Sequence, residues 1–279
     1  MKKLIKNYLN KGFLINLLFI GLFAIISVIY FYPLLSGKQI KQSDIDQFSG
    51  MSKQIVDHRS QYNEEPFWLD NAFLGMPSYQ VLVEYPFDLL DKLDRVIRFL
   101  PRPADYLFVY LVSFFLLLLT MKVKSEYAFI GAIAFAFSTY LIIILGVGHN
   151  TKALAIGYAP IVLAGLFKIL DKKYLVGFII GALGLGLQIN ANHYQMTYYF
   201  LMLVGLITII NVFDDLFKKK ITDGLNKIGV VCATTLFAIS LNATAILATQ
   251  EYSDFSTRGS SEISINPDGS EKEDLSGLS

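Results

Sequence analysis

The sequence predicts an all-α integral membrane protein of about seven transmembrane helices with a large first extracytoplasmic loop, and three observations predict it. Of the 279 residues, 54% are hydrophobic and only 17% charged, with a mean hydropathy of +0.49. That balance leaves too little polar surface to keep a soluble domain of this size in water. Apolar runs recur along the chain at residues 13–32, 106–121, 127–147, 153–170, 174–189, 194–213 and 228–249. Lysines gather in alternate connections between those runs.

The first run follows Lys2, Lys3, Lys6 and Lys11. Its basic flank resembles a signal peptide, but it has about the ~20 residues that a bilayer span requires and no small-residue cleavage site before Pro33. It reads as an uncleaved first helix. The runs at 106–121 and 174–189 are short and need their flanks to span. Orientation follows from the lysines, because positive residues in short loops resist translocation. An inside N-terminus places Lys122 and Lys124, then Lys168, Lys172 and Lys173, then Lys218, Lys219, Lys220 and Lys227 in the cytoplasm. The alternate short connections are nearly free of them. The segment 36–102 holds eight basic residues, but long translocated loops count weakly in this rule.

Within that first outer loop, Phe48, Met51 and Ile55 fall at helical spacing. Leu89, Leu90, Leu93, Val96, Ile97 and Leu100 form an apolar stripe opposite Asp88, Asp91, Lys92, Asp94, Arg95 and Arg98. The second pattern predicts a helix lying in the membrane interface. Between them, Pro66, Gly75 and Pro77 mark turns. The multispanning domain is expected over 1–250, and 251–279 is a polar outer tail that reads as poorly ordered. The single cysteine, Cys232, excludes an intrachain disulfide and a cysteine-based zinc site. A net charge of +1 gives no ground for a nucleic-acid partner; membrane lipids are the expected surroundings.

Chemistry concentrates in three places on the outer side. Ser43-Asp44-Ile45-Asp46 follows the first helix; Asp44 or Asp46 could take a proton from a hydroxyl, or could simply cap the next helix. Gly148-His149-Asn150-Thr151-Lys152 precedes the fourth span, where Asn150 or Thr151 could cap a helix whose positive end, with Lys152, favours an anion. Asn190-Ala191-Asn192-His193-Tyr194-Gln195 repeats the arrangement before the sixth span, with Asn192 as the cap. Two such helix starts, each with a histidine, could flank one phosphate; ordinary capping with interfacial aromatics is the alternative. Trp68, Tyr79, Tyr85 and Tyr106 could stack on a sugar or a headgroup, or form the aromatic belt. Gly177, Gly181, Gly184 and Gly186 allow close helix contact. Thr234, Thr235, Ser240, Asn242 and Thr244 could line a polar cavity or bond back to their own helix.

The chain resembles the N-terminal part of the bacterial YfhO family of membrane proteins. The resemblance rests on Tyr32-Pro33-x-x-Ser36-Gly37-Lys38, Gln42-Ser43-Asp44-Ile45, Gly75-Met76-Pro77-Ser78-Tyr79, Gly148-His149-Asn150-Thr151-Lys152-Ala153, Asn192-His193-Tyr194-Gln195-Met196-Thr197-Tyr198-Tyr199 and Glu251-Tyr252-Ser253. That family looks like a branch of the GT-C glycosyltransferases, with a large first outer loop, interfacial helices within it and an acidic residue soon after the first span. The resemblance implies sugar transfer from a polyprenyl-phosphate carrier to an extracytoplasmic cell-envelope glycan or lipid, at the bacterial inner membrane. It implies Asp44 as base, an inverting displacement, and a leaving phosphate near His149, Lys152 and His193. Asp46, Trp68, Tyr79, Asn150, Asn192 and Gln195 would contact substrate. Gly146–Lys152 lacks the second acidic motif of many GT-C enzymes, so Asp46, Asp70 or Glu84 would replace it, or the step needs no metal; a divalent cation stays open. Relatives of this type run longer, so on this reading the chain alone could be inactive. A transporter or flippase-like carrier and a noncatalytic assembly protein are the rival classes. Transporters tend to carry ionisable residues near the bilayer midplane, whereas those here cluster at helix ends.

Overall fold

The computed structural model describes residues 11–38 and 40–256. In chain order they form α1 (Lys11–Tyr30), a 3-10 turn (Tyr32–Ser36), α2 (Ser43–Tyr62), the paired strands β1 (Trp68–Leu69) and β2 (Met76–Pro77), and α3 (Leu89–Ile97). There follow α4 (Ala104–Thr120), α5 (Ser125–Ala136), α6 (Thr139–Val147), α7 (Asn150–Leu170), α8 (Tyr174–Asn190), α9 (Tyr194–Phe217), α10 (Ile221–Leu241) and α11 (Ala243–Ser253). Each apolar run of the sequence is helical. Four helices, α1, α7, α9 and α10, are long and apolar enough to cross a membrane, and the α5–α6 pair, bent by 50°, makes a fifth if counted as one span. The apolar helices α4 and α8 have 17 residues each, about the lower limit for a span. The fold is therefore that of an all-α, multi-span membrane protein.

Two runs depart from the uninterrupted helices expected. The 127–147 run breaks because Ser138 takes an extended conformation (φ −60°, ψ 139°), which starts a new helix in a new direction. The 228–249 run belongs to a helix that begins earlier, at Ile221, and ends at Leu241. There the Asn242 side chain donates to the carbonyls of Ala238 (3.0 Å) and Gly186 (3.1 Å), so a side chain satisfies the helix end and ties it to α8. The 251–279 tail lies outside the described residues beyond Ser256, as do Lys2, Lys3 and Lys6.

The chain divides into two compact units, Met1–Phe48 with Tyr85–Asn242, and Ser49–Glu84 with Ala243–Ser279. The first holds the apolar bundle. Its core gathers Phe23 from α1, Leu107, Leu111 and Phe115 from α4, Ala128 and Ala132 from α5, and Tyr158 from α7. The α7–α8 contact is the tightest. A Cβ on Gly165 would sit 2.4 Å from the Gly181 backbone, and one on Gly177 would meet Ile169 at 2.6 Å, so glycine is required where these backbones touch. The hydroxyls of Thr234 and Thr235 bond back to Val230 and Val231 one turn earlier, and Ser240 bonds to Phe237, so these hydroxyl protons are satisfied within their own helix. Leu18, Ile29, Leu175, Leu206, Ile210 and Leu236 stand exposed on the outer faces of the helices, as lipid contact requires.

The turns of this unit sort to two ends. At one, Ser125 bonds Asn16 (2.7 Å) and Lys172 pairs with Asp223 (2.5 Å). Here Lys122, Lys172 and Lys219 close three helices in left-handed conformations (φ 65°, 63° and 57°). At the other, the Gln42 amide donates to the Leu145 carbonyl and Asn190 bonds Asp88 (3.4 Å).

Helix α3 corrects one expectation. The apolar stripe does not form the whole buried face: Leu90 is buried and Leu93, Ile97 and Leu100 pack on the core, but Leu89 and Val96 are exposed and Asp94 is buried. Asp94 accepts the Tyr158 hydroxyl of α7 (2.5 Å) and the Arg98 guanidinium (Nε, 2.7 Å), and Arg98 also reaches Asp105 at the start of α4 (2.9 Å). The Arg98 guanidinium also lies 5.4 Å from the Tyr106 ring centre. Burial would lower the pKa of Arg98, but the carboxylates of Asp94 and Asp105 more than offset this and hold the guanidinium charged. Aspartate and arginine turn inward because they satisfy one another there. This network fastens α3 to α4 and α7.

In the second unit, α2 presents Ile55 to the interior with Met51 half-buried, whereas Phe48, at the same helical spacing, is exposed. Arg59 grips Glu65 through both Nε and Nη2 (2.7 Å each) and reaches Glu84 (3.1 Å). Strands β1 and β2 pair Trp68 with Pro77 and Leu69 with Met76. Gly75 (φ 118°) lies beneath the Trp68 ring, where a Cβ would come within 2.8 Å of Cζ2.

Candidate functional site

Helix α2 opens with Gln42 as its cap position, the Gln42 carbonyl accepting the N–H groups of Ile45 and Asp46 (3.1 Å each). Its side chain is thereby left to reach the end of α6. Gly148, left-handed at φ 97°, ends α6, with its own N–H and that of His149 bonding the Ile144 carbonyl. A Cβ on Gly148 would lie 3.0 Å from that of Gln42 and 3.5 Å from that of Asp44. The two turns thus touch at a glycine.

This contact brings Asp44 Oδ2 to 2.7 Å from His149 Nδ1, with both side chains partly exposed. A carboxylate only accepts, so Nδ1 donates, and in the neutral ring Nε2 is left as an acceptor. His193 stands close enough to His149 and Lys152 for their charges to act on it. Burial lowers its pKa below the ordinary imidazole value, and Lys152 and His149 lower it further. Its Nδ1 accepts the Met196 N–H (3.4 Å), which puts the proton of the neutral ring on Nε2. Lys152 lies over the Tyr140 ring, 5.3 Å from its centre. The result is an acidic–histidine pair, a neutral imidazole and a cation at one end of the bundle. Such a set can accept a proton from a hydroxyl and hydrogen-bond an anion.

Three capping expectations change. Asn150 and Thr151 lie inside α7, with His149 at its cap position and no side-chain cap bond; the Asn150 N–H bonds the Gly148 carbonyl (2.7 Å). The Asn150 Oδ1 is buried without a hydrogen-bond partner. Asn192 does not cap α9 because it closes α8 instead, in the left-handed conformation that asparagine tolerates (φ 58°), and His193 takes the cap. Asp46 is exposed in the first turn of α2. Gln195 donates to the Tyr199 hydroxyl (3.4 Å) along its own helix. Trp68 and Tyr79 belong to the other compact unit. Among the described residues no group of three or more His, Cys, Asp or Glu is placed to share a metal ion.

Residue reading assigned no part to Gln42, Gly148 or Tyr140, although Gln42 and Gly148 lie inside quoted motifs. The geometry defines a multi-span helical membrane protein that gathers the Asp44–His149 pair, His193 and Lys152 at one end of its bundle. Comparison with protein-family models, with curated proteins and with solved structures gave no match.

Proposed function

We propose that this chain is the membrane portion of a GT-C-like glycosyltransferase, similar to the YfhO family, that moves a sugar from a polyprenyl-phosphate carrier to a cell-envelope glycan or lipid outside the cytoplasmic membrane. The observation that carries the reading is the Asp44–His149 bond at 2.7 Å, with His193 within electrostatic reach of His149 and Lys152. The acceptor hydroxyl gives its proton to the Asp44–His149 pair, its oxygen attacks the anomeric carbon in line, and the lipid phosphate leaves toward Lys152 and the Nε2–H of His193. One displacement inverts the anomeric centre; no second carboxylate nucleophile is required. On this reading α4, α5–α6 and α8 also span, giving seven crossings with the N-terminus inside, and the lysine-bearing turns face the cytoplasm.

The test is turnover of radiolabelled polyprenyl-phosphate sugars by the full-length protein in inner-membrane vesicles. Asp44→Asn is expected to lower transfer by at least about 100-fold at unchanged expression. Undiminished transfer by that variant removes the assignment of the proton acceptor. Labelling a cysteine at position 46 in a Cys232→Ser background, reachable only from the cytosol, overturns the topology and the reaction together.

A further inference from the structure

The Trp68–Pro77 hairpin is held firmly and yet presents its apolar tip outward. Gln54 of α2 accepts the N–H groups of Asp70 (3.0 Å) and Asn71 (3.2 Å) and donates to the Asp70 carboxylate (3.2 Å). Ser78 adds a bond to the Pro66 carbonyl (2.5 Å). Between these ties, Phe73 and Leu74 take left-handed conformations (φ 51° and 63°) that bulky residues rarely adopt, Phe73 being 82% exposed and Leu74 fully exposed. Phe67 and Trp68 are more than half exposed in the adjoining chain. No charged residue occurs in the thirteen positions 71–83. Backbone strain that leaves two large apolar side chains in solvent points to a function outside the folded chain.

We propose that this tip is a membrane-interface anchor, with Phe73 and Leu74 inserted at the boundary between headgroups and acyl chains and Trp68 at headgroup level. The area favours lipid over protein. The four side chains offer on the order of 500 Å², short of the ~800 Å² that each partner contributes to a standard stable protein interface. A bilayer needs no such area from a loop already tethered to it, because the remaining cost of association is carried by the spans. The hairpin is tethered on both sides, through α2 to α1 and through α3 to α4. An uncharged run that holds a tyrosine, with a tryptophan just ahead of it, is the composition that settles at the interface. This inference does not depend on the proposed glycosyl transfer.

Trp68 is the sole tryptophan, so intrinsic fluorescence reads this hairpin alone. The protein is reconstituted in liposomes of phosphatidylglycerol and phosphatidylcholine, with acyl chains either unmodified or brominated near the headgroup. Bromination is expected to quench Trp68 emission at least about twofold. Leu74→Ser, at a fully exposed site, is expected to weaken that quenching, and F73S/L74S to abolish it while raising access to acrylamide, with far-UV circular dichroism unchanged. Equal emission in the two lipids overturns the proposal and leaves the tip to a protein partner. Quenching undiminished in F73S/L74S overturns it as well.

Discussion

Replacing Arg98 with methionine keeps most of the side chain's apolar length and removes the cation that two buried carboxylates share. Arg98 is 10% exposed, Asp94 6% and Asp105 1%. Breaking a buried ion pair by deleting one partner costs about 3–5 kcal/mol, because the other charge is left desolvated. Here two acids are stranded, although Tyr158 still donates to Asp94 and the Tyr106 N–H to Asp105 (2.9 Å). Those retained bonds keep the expected loss near about 4 kcal/mol rather than twice that. Helix ellipticity followed during sodium dodecyl sulfate titration in mixed micelles measures the loss. The triple variant R98M/D94N/D105N removes the stranded charges and is expected to recover more than half of it. A loss below about 1 kcal/mol for R98M, or no recovery in the triple variant, refutes the view that charge satisfaction holds α3 on the bundle.

Gly148→Ala forces a side chain into a left-handed position and against Gln42, at a cost of about 1–2 kcal/mol; thermal melts should show the loss, and sugar transfer should fall with it as Asp44 and His149 separate. The pKa of His193 is lowered in the folded state, by burial first and then by Lys152 and His149. The unfolded chain therefore binds the proton first, so stability is complete above the ordinary imidazole pKa of about 6.5 and declines as pH falls through it. Melting temperature measured between neutral and mildly acid pH should decline less steeply in His193→Gln than in the parent; equal slopes would mean the ring is not held neutral by the fold.

The apolar runs could be read because burial in lipid demands long stretches of one character, and each of the seven emerged as helix. The glycines of α8 were legible for a similar reason, since few residues other than glycine fit against a neighbouring backbone. Boundaries were less so. Ser138 and Asn242 interrupt helices without proline or glycine; at Asn242 what decides the outcome is tertiary, since its side chain finds the Gly186 carbonyl on another helix. The inward turn of Asp94 was hidden because amphipathic reading assigns charge to solvent, whereas Arg98 one turn on and the Tyr158 hydroxyl, distant in sequence, make burial tolerable. At the candidate site, the residue types at Asp44, His149, Lys152 and His193 suggested an anion and a base. The contact between the first two follows from Gly148 allowing two turns to touch, which neither motif states alone.

The turns at Lys122, Lys172 and Lys219 carry a consequence for how the bundle is threaded. Glycine would adopt each of these backbone conformations without strain, and a lysine gives up something on the order of 1 kcal/mol to do so. Three helix endings accept that local disadvantage at the same end of the bundle, so what is retained there is positive charge rather than the best-fitting turn. On the proposed topology, with this end cytoplasmic, a hairpin threaded the wrong way round would have to carry its cation through hydrocarbon, a far larger penalty than the strain. On that topology, conformational comfort at each bend is traded for a fixed direction of insertion.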